Sequence, residues 1–274
     1  MKLLISLIFS LLFILNSFAN SSEYTTLHYN CFKGLPKKIL APFDSYITVD
    51  MISQLSNPQK KADQFTLFFL EENQLATANG FLDVFVWENN NWTNLYNGEY
   101  GGHNFGSFKF IYKNDLYSFG GYGYWDYNNL LIKFNREIGG WDFVAKLDTK
   151  DALIAPFCWV KDNQFIVTGG SIEEGSKTLP NRYEYRIDLD TKVCAKFVSK
   201  YTNSAEIMYH HELSNFVLNR LLVNHSFERN YVYSNIYNTE DQKYYRNELK
   251  TPVFHDGSLL LNNKESLFFY NTDS

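Results

Sequence analysis

The densest cluster of side chains suited to recognising a ligand is Tyr122-Gly123-Tyr124-Trp125-Asp126-Tyr127-Asn128-Asn129, four aromatic rings interleaved with a carboxylate and two amides. Such rings stack on sugar faces or anchor a peptide, and the polar groups beside them fix orientation by hydrogen bonding. Two further polar stretches carry His103 (residues 99–104) and Glu173, Glu174, Lys177 and Arg182 (residues 171–182). The candidate ligand contacts are therefore Tyr122, Tyr124, Trp125, Asp126, Tyr127, Glu173, Arg182 and His103. Glycoside hydrolysis needs converging carboxylates. Asp126, Glu173 and Glu174 are of the right type, but nothing in their spacing sets them apart from solvated loop residues. Tyr209-His210-His211 places a phenol next to two imidazoles. Neighbours on a strand point to opposite faces, so this tripeptide cannot converge on one atom unaided. The sequence has no glycine-rich phosphate loop, Gly-x-Ser-x-Gly elbow, His-Glu-x-x-His or paired Cys-x-x-Cys. No catalytic residue is assigned and no cofactor is expected.

The elements that would position these residues repeat. Residues 107–121 (SFKFIYKNDLYSFGG) align with residues 156–170 (PFCWVKDNQFIVTGG) at an offset of 49, and the same offset relates Trp92 to Trp141. Each copy reads as an aromatic-rich strand, a polar turn and a second apolar strand closing on Gly-Gly, which is a hairpin signature. Second strands are expected to start at Leu75, Leu116, Phe165, Phe216 and Leu267, separated by 41, 49, 51 and 51 residues. Third strands fall at 84–87, 130–134, 183–187 and 231–237, and fourth strands at 92–95, 141–144, 193–197 and 244–245. On this alignment Tyr209 and His210 lie on the first, innermost strand of the fourth unit, opposite Cys158 and Trp159.

Four short antiparallel strands recurring at about 50 residues is the arithmetic of a propeller blade. With the Gly pair ending the second strand and an aromatic near the fourth, the sequence resembles kelch-repeat proteins, including the propeller of galactose-oxidase-like proteins. Gly120-Gly121 with Trp141 matches that pattern well. Gly169-Gly170 matches in part, because Val193 or Cys194 stands where the Trp belongs, and Asn79-Gly80 and Asn219-Arg220 replace the pair elsewhere. The resemblance spans about residues 65–270. It implies an all-β, kelch-type β-propeller of about five four-stranded blades, as one domain over residues 20–274. Residues 24–37 would return to complete the last blade, and Met51-Ile52-Ser53-Gln54-Leu55 would form a helical turn. A β-sandwich or a solenoid is the competing architecture. The resemblance also suggests copper held by Tyr209 and His210. That reading is disfavoured, since the oxidase site needs a second distant His and a Cys–Tyr partner.

In a meander the loops after the second and fourth strands share a face, which collects the candidate contacts. The remaining features bound the setting. Lys2, the apolar run 3–15 and Asn16-Ser17-Phe18-Ala19 read as a signal peptide over residues 1–19, directing the chain to a secreted or periplasmic location. No other stretch is apolar enough to span a membrane. A net charge of −5 supplies no basic field, so nucleic acid is an unexpected partner. Cys31, Cys158 and Cys194 allow at most one disulfide and are expected to pack as small hydrophobes. The expected function is non-enzymatic binding of a protein or glycan through the loop face. The alternatives are a carbohydrate-active or copper-radical enzyme and the periplasmic sensor part of a larger signalling protein.

Overall fold

Short runs rich in Phe, Tyr, Val and Ile, broken by Asn, Asp and Gly, favour strands joined by tight turns. The structure, a computed structural model, describes residues 25–30, 48–55, 64–70, 73–99, 104–123, 126–149, 152–154, 156–174, 177–199, 215–217, 221–228, 231–238, 243–249, 259–263 and 266–270. The expected signal peptide and Cys31 lie outside these residues.

After β1 (Thr25–Asn30) and helix α1 (Val49–Leu55) come β2 (Gln64–Phe69), β3 (Gln74–Ala78), β4 (Val84–Glu88) and β5 (Asn91–Asn94). The second unit comprises β6 (Phe108–Tyr112), β7 (Asp115–Phe119), the short pair β8 (Tyr122–Gly123) and β9 (Asp126–Tyr127), then β10 (Leu130–Asn135) and β11 (Gly140–Lys146). The third repeats this plan with β12 (Phe157–Lys161), β13 (Gln164–Thr168), β14 (Ser171–Glu174), β15 (Lys177–Pro180), β16 (Tyr183–Asp188) and β17 (Cys194–Val198). The chain continues through β18 (Asn215–Val217), β19 (Leu221–Glu228), β20 (Tyr231–Asn238), β21 (Lys243–Leu249), β22 (Leu259–Asn263) and β23 (Ser266–Tyr270).

Every named strand pair is antiparallel. Three four-stranded sheets run β11-β10-β7-β6, β12-β13-β16-β17 and β18-β19-β20-β21. The expected strand starts in the second and third units fall within one residue of β7, β10, β11, β13, β16 and β17. Two expectations are corrected. The strand at Phe216 is not the second of its sheet: β18 stands first and β19, which the repeat spacing passed over, takes second place. β18 is in contact with β12, and Tyr209 and His210 lie outside the described residues. The other correction concerns the N-terminal return. It reaches the last hairpin, but β1 pairs with β22 rather than β23, and also with β2, giving a continuous seven-stranded sheet β23-β22-β1-β2-β3-β4-β5. It does not lie beyond β23, where the missing strands of the last unit are expected.

The second strand of each of the first three units is apolar on both sides. In β7, Leu116 packs toward Phe68, Leu75 and Val86 of the first sheet, while Tyr117 and Phe119 pack toward Phe165, Val167 and Tyr185 of the third. Successive residues of a strand point to opposite faces, so a strand with buried apolar residues on both faces places one sheet between two others. The outer face of the first sheet is covered by α1, whose Met51 and Leu55 sit on Phe65, Leu67 and Trp92. Thr48 caps the helix, its Oγ1 accepting from Met51 N at 3.1 Å.

The paired tryptophans of the repeat tie each sheet to the layer before it. Trp92 Nε1 donates to the Met51 carbonyl at 2.8 Å, and Trp141 Nε1 donates to the Leu82 carbonyl at 2.9 Å. Trp92→Phe keeps most of the buried area but leaves that buried carbonyl without its donor. It is expected to cost about 1–2 kcal/mol, read as a lowered thermal midpoint by circular dichroism; an unchanged midpoint would remove the tie. The third unit, lacking the Trp, uses charge instead. Lys113 pairs with Asp190 in the β16–β17 turn, and Tyr112 Oη lies 3.2 Å from the same carboxylate.

Candidate functional site

The Gly-Gly pairs that end β7 and β13 have positive φ at both residues: +66° and +101° at Gly120 and Gly121, +64° and +70° at Gly169 and Gly170. That region is open to glycine at little cost, and it turns the chain out of the sheet at the end of β7 and β13. The chain leaving each pair forms a two-stranded hairpin rather than an irregular loop, β8–β9 in one unit and β14–β15 in the next. The segment arriving from the preceding fourth strand bonds to the base of each. Phe105 bridges Tyr122, and Ile154 bridges Ser171. The loops expected to share a face thus do meet, through backbone hydrogen bonds of 2.8–3.0 Å.

A repeated asparagine closes each excursion. Asn128 Nδ2 donates to the Gly120 and Gly121 carbonyls, and its Oδ1 accepts from Leu130 N. Asn181 does the same in the next unit, donating to Gly169 and Tyr183 carbonyls and accepting from Tyr183 N. These two residues are 53 positions apart rather than 49, because the second hairpin is longer. Asn128 therefore positions the hairpin from within, and its amide is engaged by the backbone. Asn129, buried, holds the neighbouring segment: its Nδ2 donates to Thr149 Oγ1 at 2.7 Å and its Oδ1 accepts from Leu153 N at 2.8 Å.

Between the two hairpins lies a cleft of about 510 Å³, lined among others by Asp126, Tyr127, Asn129, Lys146, Thr149 and Glu173. Tyr127 is half-buried and packs at 4.9 Å on Tyr122, its register partner. Burial pushes the Tyr127 phenol above its ordinary pKa, with Tyr122 and then the Glu173 carboxylate adding to the effect. The phenol is therefore a neutral donor throughout the physiological range. The lining offers one aromatic face, two carboxylate acceptors and one ammonium donor, a set suited to hydroxyl groups on a stacked ring.

The structure brings Asp126, Tyr127 and Glu173 to this cleft, with Tyr122 supporting Tyr127 from outside it. Arg182 lies in a second cleft on the other side of β14–β15. Tyr124, Trp125 and His103 lie outside the described residues. Sequence reasoning missed Lys146, the last residue of β11, and Thr149 just after it, where the 49-residue register carries no signal. Among the described residues no group of three His, Cys, Asp or Glu side chains could hold a metal ion. Cys158 is buried and Cys194 half-buried, both as free thiols, with burial raising the pKa of each. No described helix is long and apolar enough to cross a membrane.

No family model matches the chain and no curated relative does. Among solved structures, one described as the structure of YjhT is 13% identical, with a TM-score of 0.40, covering 72% of this chain and 68% of that one.

Proposed function

We propose that this chain is an exported, kelch-like β-propeller that binds a glycan through the face carrying β8–β9 and β14–β15, without catalysing a reaction. One observation carries the reading: the cleft in which Tyr127 presents a ring among Asp126, Glu173, Lys146 and Asn129. A concave site of this size accommodates one or two sugar rings. Its polar groups would exchange water for sugar hydroxyls, while the tyrosine face covers the apolar side of a pyranose. The candidate contacts arise from hairpins held by backbone and asparagine bonds, so the site is preformed and little ordering is needed on binding.

The test uses the purified mature chain on an array of oligosaccharides. Tyr127→Ala and Glu173→Gln are each expected to lower affinity by tenfold or more, about 1.4 kcal/mol, with the thermal midpoint little changed for the exposed Glu173. Binding that survives both substitutions would reject this cleft as the site. Release of new reducing ends from a retained glycan would instead assign hydrolysis to Asp126 and Glu173.

A further inference from the structure

The hairpin β14–β15 is a wall with two different faces. Its register pairs Ile172 with Leu179 and Glu173 with Thr178, and alternation sends these pairs to opposite sides. Glu173 faces the first cleft, between the hairpins. Ile172 and Leu179 line a second cleft of about 390 Å³ together with Arg182, Tyr183, Tyr185 and Lys196. Thr149 lines both, so the two spaces adjoin across one side chain that Asn129 holds in place.

The second cleft differs in character. Tyr185 pairs directly with Lys196 across β16 and β17, and Tyr183 lies two residues away on the same face. Lys196 Nζ stands 4.2 Å from the centroid of the Tyr183 ring and 5.7 Å from that of Tyr185. It also donates to the main-chain carbonyl of Asp148 at 3.4 Å. Among the described residues, no carboxylate forms an ion pair with Lys196 or with Arg182, whereas the nearby Arg186 is paired with Glu184. Two exposed cations, neither in an ion pair among the described residues, border an aromatic and aliphatic floor, with the Asp148 carboxylate close enough to Tyr185 to help raise its phenol pKa. An ammonium stacked on a ring still has N–H donors to offer an anion, and charge-assisted hydrogen bonds are about twice as strong as neutral ones.

We infer that the glycan is anionic and spans both clefts: a neutral, hydroxyl-rich sugar sits between Asp126 and Glu173, and an adjoining sugar bears a negative group held by Arg182 and Lys196. This rests on the glycan-binding reading of the first cleft and names the ligand class. Thr149 marks the crossing point, so the bound unit is at least a disaccharide. The negative group is a carboxylate or a sulfate, which the two cations bind by the same chemistry and which the array distinguishes.

The experiment places carboxylate-bearing and sulfated oligosaccharides beside their carboxyl-reduced and desulfated counterparts, and compares the wild-type chain with the Arg182→Gln/Lys196→Gln double variant. Both side chains are exposed, so the variant is expected to fold, as checked by circular dichroism. The wild type is expected to prefer an anionic member by about tenfold or more, and to lose most of that preference between about 0.05 and about 0.5 M salt. The double variant is expected to bind the anionic and neutral members equally. Equal binding of both members by the wild type, or an unchanged preference in the double variant, overturns the inference and leaves the glycan reading standing. Retention on an acidic peptide surface with no glycan retained overturns both in favour of a protein ligand.

Discussion

Phe165→Ala is expected to lower the free energy of unfolding by about 3–5 kcal/mol, the largest loss for any single side chain in the second and third sheets. Phe165 is fully buried, and its ring meets those of Phe110 at 4.8 Å, Phe119 at 5.1 Å and Phe108 at 6.1 Å. It stands on β13, while its three partners stand on β6 and β7, so its removal opens a cavity between two sheets. β13 and β7 are held by ladders on both sides and cannot collapse into the space, which places the cost at the upper part of the range. Phe143→Ala makes the control, because Phe143 is 64% exposed on β11 and its truncation should stay within about 0.5 kcal/mol. Urea unfolding of both variants measures the difference. A loss below about 1.5 kcal/mol for Phe165→Ala would mean that the two sheets do not share a packed interface. Should that variant fail to fold, Phe165→Leu keeps most of the volume and is expected to cost about 1–2 kcal/mol.

The same stack shows why much of the fold is legible in the sequence. Runs such as 116–119 and 165–168 carry large apolar residues on both alternating faces, with only Ser118 and Thr168 polar, which announces burial on both sides, and the 49-residue offset places their turns. Lys113-Asn114 and Asn89-Asn90 adopt positive φ at both positions, the geometry that two-residue hairpin turns require and that asparagine tolerates. The register is lost where the period changes. Between Val198 and Asn215 the repeat offers no turn of fixed length, so spacing alone assigns Phe216 to a second strand when it belongs to a first. Short β18 shows only Asn-Phe-Val, three residues that fit either position. In the site, residue types are legible and partners are not. Asp126, Tyr127 and Glu173 converge because the hairpins β8–β9 and β14–β15 border the same cleft. Two-residue strands such as β8 and β9 leave no periodic pattern. Arg182 separates from them because a hairpin has two sides, and only the register reveals which side each residue takes. The role of Asn128 is hidden for a related reason: an amide closing a loop and an amide contacting a ligand look alike until the backbone carbonyls are in place.

That loop closure leads to the second large effect. Gly170→Ala is expected to destabilise the chain by about 3 kcal/mol and to abolish binding in both clefts. Two costs combine. A φ of +70° is about 1–2 kcal/mol less favourable for an L-residue with a Cβ. The added carbon would also lie 2.6 Å from the Ile154 carbonyl oxygen and 2.8 Å from the Pro156 Cα, both backbone atoms that cannot rotate away. Relief requires moving the backbone at Ile154 and Pro156, which adds about 1–3 kcal/mol. Ile154 is bonded to Ser171 in both directions, at 2.8 and 3.0 Å, and both Ile154 and the hairpin that Ser171 begins line the first cleft. Displacing that bridge shifts Glu173 on one face and Ile172 on the other together. Gly120→Ala separates strain from collision: its φ is +66°, but a Cβ there meets only the Asn128 carbonyl oxygen, at 3.4 Å. It should cost about 1 kcal/mol and leave binding intact. Thermal unfolding of the two variants, with binding measured on whichever glycan the wild type retains, distinguishes these outcomes. Equal losses for Gly170→Ala and Gly120→Ala would show that the glycine pair serves backbone conformation alone, and that the close approach of segment 154–156 does not set the shape of the site.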